Sequence, residues 1–134
     1  MTKFIIFTDG GARGNPGPAA CAAVVNDQGF SEYIGETTNN VAEYRGLLLG
    51  LKSALKLAGK KSEEAEVEIK MDSELVVKQL KGEYKVKDQN LKLLFADAQP
   101  LINQFKSVSF KHVRREENSH ADRLVNEVLD AKGY

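Results

Sequence analysis

The sequence of 134 residues contains no tryptophan and only one cysteine, Cys21. A single cysteine excludes a disulfide framework within the chain and is typical of a protein that works in a reducing compartment. Lysine and arginine together number 19, as do aspartate and glutamate, so no excess of one sign indicates nucleic acid or a membrane surface as a partner. A neutral total still allows charges of one sign to be segregated locally.

The sequence also lacks a long apolar run near its N-terminus. The run there covers only residues 4–7, which is too short for a signal peptide or a membrane span. No internal repeat, low-complexity tract or linker divides the chain, and its length suffices to bury one core. We therefore expect a single domain, residues 1–134, that is cytoplasmic, monomeric and not associated with membranes.

Hydrophobic periodicity predicts strands and helices in the order β-β-β-α-β-α-α-β-α. The predicted strands are residues 3–8, 19–26, 30–36, 66–71 and 108–113. The predicted helices are residues 40–57, 73–81, 91–105 and 119–132, and Pro100 is expected to disturb the third of them. A three-strand meander followed by strands that alternate with helices indicates an α/β fold, with a five-stranded mixed sheet and helices packed on its faces.

Four acidic residues lie at positions where each has an ordinary structural explanation. Asp9 follows the first predicted strand, where aspartate favours a turn, and Asp72 follows the fourth, where it or Ser73 caps a helix. Glu43 lies at the edge of the apolar stripe of the first helix, where a negative charge in the first turn is favourable. Asp122 occupies the third helical position of a capping-box pattern.

Taken together, two carboxylates at strand ends and two in the first turns of helices can converge on one point. Carboxylates in such proximity repel one another, and their pKa values rise unless a cation is present. Oxygen ligands without cysteine or clustered histidine favour Mg²⁺ or Mn²⁺ over zinc. The four acids therefore predict a site for metal-assisted phosphoryl transfer.

Four motifs resemble those of type 1 ribonuclease H, in the same order and over nearly the whole chain. They are TDGGARGNPG (residues 8–17), TTNNVAEYRGLL (37–48), MDSELVV (71–77) and HVRREENSHADRLVN (112–126). The resemblance implies the ribonuclease H-like fold, whose order of strands and helices is the one predicted above. It also implies a metal-dependent endoribonuclease that hydrolyses the RNA strand of RNA/DNA hybrids to 3′-hydroxyl and 5′-phosphate ends.

The same resemblance implies a catalytic set of four acids that hold two Mg²⁺ ions, replaceable by Mn²⁺: Asp9, Glu43, Asp72 and Asp122. Asp9 would bridge both ions, and Asp122 would hold the ion that activates the attacking water. Glu43 and Asp72 would hold the ion that faces the leaving group. His112 matches a mobile catalytic histidine that assists proton transfer or product release, although a surface histidine at a strand end is the alternative.

Six residues would contact the RNA/DNA hybrid: Gly10, Gly11, Asn15, Thr38, Asn39 and Asn40. The glycines would allow the backbone to come close to a nucleic-acid strand. The three asparagines would contact RNA 2′-hydroxyls and minor-groove base edges, which distinguish RNA from DNA. The threonine would help to hold a phosphate of the DNA strand.

Two features depart from the family pattern. Glu74 stands where many members carry a glutamine, and the lack of tryptophan indicates that the basic handle of some members is absent or reduced. The lysines at positions 78, 81, 85, 87 and 92 either supply a positive edge there or form an ordinary solvated surface.

Two other functions are compatible with this fold. A catalytically silent nucleic-acid-binding domain would be expected to lack a carboxylate, and all four are present. A polynucleotidyl transferase related to integrases would need extra DNA-binding segments, for which this chain has no room.

Overall fold

The computed structural model describes residues 2–134, which form five strands, four α-helices and two short 3₁₀ helices. The strands are β1 (Lys3–Ala12), β2 (Gly17–Val25), β3 (Gln28–Thr37), β4 (Glu66–Met71) and β5 (Ser107–His112). The α-helices are α1 (Asn39–Ala58), α2 (Glu74–Leu80), α3 (Gln89–Ile102) and α4 (Ser119–Ala131). The 3₁₀ helices cover Gly59–Glu64 and Arg115–Asn118. The succession of strands and α-helices is the predicted one.

The five strands form one mixed sheet in the order β3-β2-β1-β4-β5. β2 pairs antiparallel with both β1 and β3, whereas β4 pairs parallel with both β1 and β5. The alternation predicted for β4 is present, because Val67, Ile69 and Met71 are all buried. The predicted three-strand antiparallel meander with two further strands is therefore confirmed.

β1 is longer than predicted, and the prediction that it ends at Thr8 was wrong. Residues 9–12 continue to pair with β2, while the pairing with β4 covers only Lys3 to Phe7. Glycines after an aspartate favour a turn locally, but here the neighbouring alanine-rich strand β2 supplies partners that keep this segment extended. Asp9 consequently lies where β1 continues beyond its parallel neighbour, not in a turn.

Helices cover both faces of the sheet, as predicted. On one face α1 packs against β1 and β2, and α3 packs against α1. These elements surround a main core that includes Ile6, Leu47 and Ile69. On the other face α4 packs against β1, β2 and β3 through a smaller cluster of Ala20, Ala22, Val125 and Leu129. None of the helices within residues 2–134 combines the length and the apolar composition needed to cross a membrane.

Pro100 lies in the last turn of α3, which ends at Ile102 and not at the predicted Phe105. Proline lacks a backbone N–H and therefore removes one helical hydrogen bond. The helix stops two residues later, in agreement with the expected disturbance.

The backbones of α1 and β1 meet at two glycines. A Cβ atom on Gly10 would lie 2.1 Å from the carbonyl carbon and oxygen of Ala42, and one on Gly46 would lie 2.5 Å from the carbonyl oxygen of Asp9. The structure thus requires glycine at position 10 because of the helix, independently of any approach by a nucleic-acid strand. A Cβ on Gly11, in contrast, would have Val125 Cγ1 as its nearest neighbour at 3.8 Å.

The substitution Gly10→Ala should destabilise the fold, because the added methyl group overlaps backbone atoms of α1 that cannot rotate away. Overpacking of this kind costs about 1–3 kcal/mol or more. Urea denaturation should give a clearly lower midpoint for this variant, whereas Gly11→Ala, the matched control, should unfold close to the wild-type midpoint. Equal midpoints for both variants would contradict the assigned packing.

Candidate active site

Three of the four predicted acids converge at one edge of the sheet. Asp9, Glu43 and Asp72 each offer a carboxylate oxygen, and these oxygens all lie within 4.8 Å of one another. Asp9 comes from β1, and Asp72 follows its parallel neighbour β4, so the two carboxyl ends share an edge. Glu43 reaches the same point because α1 lies directly on β1.

The three acids line a cleft of about 610 Å³, and Asp122 lines it as well. Asp122 belongs to α4, which packs on the opposite face of the sheet from α1, and it is not one of the three mutually close carboxylates. The cleft therefore contains all four acids, contributed by β1, by the residue after β4 and by helices from both faces.

The local structural explanations for these acids are not supported by the geometry. The cap of α2 is Ser73, whose hydroxyl accepts a hydrogen bond from the N–H of Val76, so Asp72 is not needed there. Glu43 lies beyond the first turn of α1, which contains no acidic residue, because the helix begins one residue earlier than predicted. Asp122 is in the first turn of α4, but no side chain caps that helix.

Burial and mutual repulsion oppose ionisation of the acids. Burial, followed by the charge of Asp72, raises the pKa of Asp9 from 3.8 to about 7, and Asp122 adds to this rise. Burial, followed by the charges of Asp9 and Asp72, raises the pKa of Glu43 well above its ordinary value. Burial also raises the pKa of Asp72, although the Arg115 guanidinium opposes this effect. The cluster by itself therefore retains protons near neutral pH.

The cluster fits a hard divalent cation. Glu43 Oε2 is buried and has no hydrogen-bond partner among residues 2–134, and Asp9 is only 6% exposed. An unpaired buried carboxylate oxygen is costly, and a cation shared among the acids would satisfy it and offset their repulsion. Because the cluster consists of carboxylates alone, its chemistry favours Mg²⁺ or Mn²⁺ over zinc.

Two of the predicted substrate-binding asparagines are bonded to the protein itself. Asn15 Oδ1 accepts a hydrogen bond of 3.0 Å from the N–H of Asn39, and Asn39 Oδ1 accepts one of 2.8 Å from the N–H of Ala12. Their amide oxygens therefore fasten the loop after β1 to the start of α1. What these side chains offer a ligand is chiefly the N–H donors of their Nδ2 atoms.

The other predicted contact residues lie nearby. Asn40 and Asn39 line the main cleft with Gly10 and Gly11, and Asn40 also lines a smaller adjoining pocket with Asn15 and Thr38. The hydroxyl oxygen of Thr38 caps α1 by accepting a hydrogen bond of 3.2 Å from the N–H of Val41. The cap leaves the hydroxyl proton available to a ligand.

His112 is exposed and lies outside the set of residues that line the cleft. It ends β5 and is paired in register with Met71, which puts it next to the strand end that carries Asp72. Glu74, the departure from the family pattern, forms an ion pair of 3.0 Å with Lys78 on the same helix. The hydrogen bond and charge of Lys78, and to a smaller extent His112, lower the pKa of Glu74.

Several polar residues of the cleft were not predicted. Arg13, Ser73, Arg115 and Asn126 line it beside the acids. A fifth residue, Asn118, does not line the cleft; it is fully buried and donates a hydrogen bond of 2.9 Å from Nδ2 to the carbonyl oxygen of Thr8. All five lie within the four motifs, but only the folded arrangement shows which ones face the acids.

Comparisons with known proteins agree with this geometry. A family model described as reverse transcriptase-like matches residues 7–128. The chain is similar to a ribonuclease H from Thermoanaerobacter pseudethanolicus. The alignment is 136 residues long, has 33% identity, and covers 93% of this chain and 83% of the relative. The chain belongs to the ribonuclease H family. This confirms the resemblance inferred from the four motifs.

Other members of the ribonuclease H family match more strongly. A crystal structure of LC11-RNase H1 in complex with an RNA/DNA hybrid has a TM-score of 0.91 and 46% identity, covering 98% of this chain and 99% of that one. A bifunctional protein from Mycobacterium tuberculosis is 46% identical over 136 residues, which cover 96% of this chain but only 36% of the relative. The chain thus spans about a third of the length of the mycobacterial relatives it matches.

The substitution Asp9→Asn should stabilise the protein in the absence of metal, and the gain should depend on pH. The folded-state pKa of Asp9 is raised from 3.8 to about 7, so the wild type loses stability as pH rises through this window. Asparagine does not titrate, so the variant should gain no free energy of unfolding near pH 3.8. Above a pH of about 7 the gain should exceed about 1 kcal/mol.

Urea denaturation in a chelator at several pH values measures this difference. Asp97→Asn, a change of the same kind at an exposed position on α3, serves as the control and should show no such trend. A stability difference for Asp9→Asn that stayed constant with pH would contradict the assigned burial and repulsion.

Proposed function

We propose that residues 1–134 act as a single ribonuclease H domain, which hydrolyses the RNA strand of RNA/DNA hybrids to 3′-hydroxyl and 5′-phosphate ends. The observation that carries this proposal is the mutual approach within 4.8 Å of carboxylate oxygens from Asp9, Glu43 and Asp72, in a cleft that Asp122 also lines. Further support comes from the similarity to LC11-RNase H1, whose structure contains an RNA/DNA hybrid.

Two divalent cations would be held by the four acids: Asp9, Glu43, Asp72 and Asp122. We propose Mg²⁺ as the ion, with Mn²⁺ able to replace it. When bound, Mg²⁺ would supply Lewis-acid polarisation of the scissile phosphate and a water of lowered pKa. The protein contributes buried carboxylates whose repulsion disfavours the metal-free state, so that binding of the cation is coupled to loss of their protons.

His112 is proposed to assist proton transfer or product release. Its exposure at the end of β5 leaves the imidazole free to approach a phosphate bound at the edge of the cleft. An imidazole both accepts and donates a proton near neutral pH, which suits either task.

RNA would be distinguished from DNA by Asn15, Asn39 and Asn40. The Nδ2 groups of the first two are held in place by the bonds that their oxygens make within the protein, which limits the entropy lost when they donate to a 2′-hydroxyl or a base edge. Thr38 would donate its hydroxyl proton to a phosphate of the DNA strand. Gly10 and Gly11 line the cleft between the acids and these donors and would face the hybrid with backbone alone.

We also propose that the domain is monomeric and cytoplasmic. Its cysteine, Cys21, is buried and free, which is compatible with a reducing compartment.

The substitution Asp9→Asn should abolish cleavage of an end-labelled RNA/DNA hybrid in Mg²⁺. It removes one of the three mutually close carboxylates, and a loss of several kcal/mol of transition-state stabilisation corresponds to at least about 10³-fold in turnover. Double-stranded RNA and DNA duplexes, assayed with Mg²⁺ and with chelator, establish substrate class and metal dependence. Near wild-type turnover of the variant would overturn the assignment.

His112→Ala provides the matched comparison at the edge of the same cleft. A positioned proton-transfer group contributes about 10²–10⁴-fold, so this variant should be slower and still measurably active. A variant as inactive as Asp9→Asn would require a more central role for His112.

Two further variants should distinguish the recognition of RNA from the electrostatic attraction between the protein and nucleic acid. Asn40→Ala should raise KM for the hybrid, with a cost of about 1–3 kcal/mol if a buried partner loses its bond, and should leave the salt dependence of binding unchanged. Asn40 is preferred to Asn39 because the latter also holds the N–H of Ala12. A double replacement of Lys81 and Lys85 by alanine should reduce the salt dependence and preserve the preference for RNA.

Hybrid affinity measured at several salt concentrations, together with cleavage of hybrid and DNA duplexes, tests this separation. If the asparagine variant reduced the salt dependence and the lysine variant did not, the assignment of the two surfaces would be wrong.

A further inference from the structure

A chain of polar contacts joins the segment after β1 to α4, beside the acids. Arg13 Nη1 forms an ion pair of 2.7 Å with Asp130 Oδ1, and Arg13 Nη2 donates a hydrogen bond of 3.3 Å to Asn126 Oδ1. Asn126 Nδ2 in turn donates one of 3.1 Å to the carbonyl oxygen of Asp122 and lies 3.5 Å from Asp122 Oδ2. Asp122, Asn126 and Asp130 are spaced four residues apart and so lie on one face of α4.

The orientation of the Asn126 amide follows from the chemistry of its neighbour. A guanidinium has only donors, so the atom of Asn126 that faces Arg13 must be the oxygen. The NH₂ group is thereby turned toward Asp122. Without Arg13 the amide oxygen would lose its partner, and only the bonds from Nδ2 to Asp122 would hold the side chain in this orientation.

We propose that Asn126 is a positioning residue for Asp122, and that Arg13 stabilises the orientation in which Asn126 does so; this inference rests on the proposed function. The donor next to Asp122 Oδ2 restrains that carboxylate, which lines the cleft. Ligating carboxylates commonly depend on such outer hydrogen bonds, whose loss reduces metal affinity or activity by about 10–100-fold.

Arg13 also belongs to the loop that presents Asn15. The N–H of Arg13 donates to the carbonyl oxygen of Pro18 at 2.8 Å, which closes the loop, and Asn15 then accepts from the N–H of Asn39. One loop therefore holds a proposed RNA contact and, through Arg13 and Asn126, the fourth acid. The placement of the RNA strand and the placement of Asp122 are linked through it.

Three alternative roles for these contacts would change different measured quantities. A direct contact with the hybrid would raise KM, and for Arg13 it would also reduce the salt dependence of binding. A purely structural contact would lower the melting temperature and leave cation affinity unchanged. A positioning role lowers kcat and weakens cation binding in the absence of any nucleic acid, with KM preserved.

The decisive experiment titrates metal-free protein with Mn²⁺ by calorimetry, without hybrid and above the Asp9 pKa of about 7. Hybrid cleavage then gives kcat and KM, and a melting curve for each variant establishes folding. The variants are Arg13→Ala, Asn126→Ala and the double variant. Arg123→Ala is the matched control, because its partner on the same helix is Glu127, at 3.5 Å, away from Asp122.

Asn126→Ala should lose about 10–100-fold in Mn²⁺ affinity at one site and in kcat, with KM unchanged. Arg13→Ala should lose part of the same amount, and the double variant should be no worse than Asn126→Ala, because both changes act on one contact. The control should match the wild type. Asn126→Gln keeps the donor on a longer side chain and should recover part of the loss. If Asn126→Ala does not fold, Asn126→Gln is measured in its place.

Additive losses, or a change in KM alone, would overturn the positioning role. So would wild-type cation affinity in folded Asn126→Ala. The proposed function is tested separately by Asp9→Asn: an inactive Asp9→Asn beside a fully active Asn126→Ala would reject this inference alone, whereas an active Asp9→Asn would reject the proposed function.

Discussion

The direct contact between the backbones of α1 and β1 is the constraint on which the placement of the acids depends. Gly10 and Gly46 have no Cβ, and a Cβ at either position would overlap the backbone of the other element. The close approach brings Glu43 beside Asp9, and the parallel pairing of β1 with β4 adds Asp72. A larger residue at either glycine would move the helix outward and separate the carboxylates, even if the apolar core could adjust.

Burying these acids opposes folding, and the rest of the structure has to offset that cost. Asp9 and Glu43 are almost completely removed from solvent, and burial is the largest cause of their raised pKa values. The leucines of α1, packed against the central strands, provide apolar burial directly beside them. Helix α1 therefore imposes the electrostatic cost through Glu43 and stabilises the fold through its leucines.

The order of elements could be predicted from periodicity, since long amphipathic helices and alternating strands are signalled locally. The convergence of the acids was predictable from the four motifs, although Asp9 lies within β1 and Glu43 beyond the first turn of α1, not at the expected ends of these elements. The true end of β1 was not, because pairing with β2 overrides the local preference of glycine for turns. Likewise, the hydrogen bonds between Asn15 and Asn39, between Ala12 and Asn39, and between Arg13 and Asn126 join residues 24, 27 and 113 positions apart.

The acids of the cleft are carried by elements that pack into two separate apolar clusters. Three acids belong to elements anchored in the main core, whereas Asp122 is carried by a helix attached through a small alanine-rich cluster on the other face. Segments with little buried apolar contact open at a lower free energy than the whole molecule. Amide hydrogens of α4 should therefore exchange with solvent sooner than those of β1, and each such opening withdraws one acid from the cleft while the core stays folded.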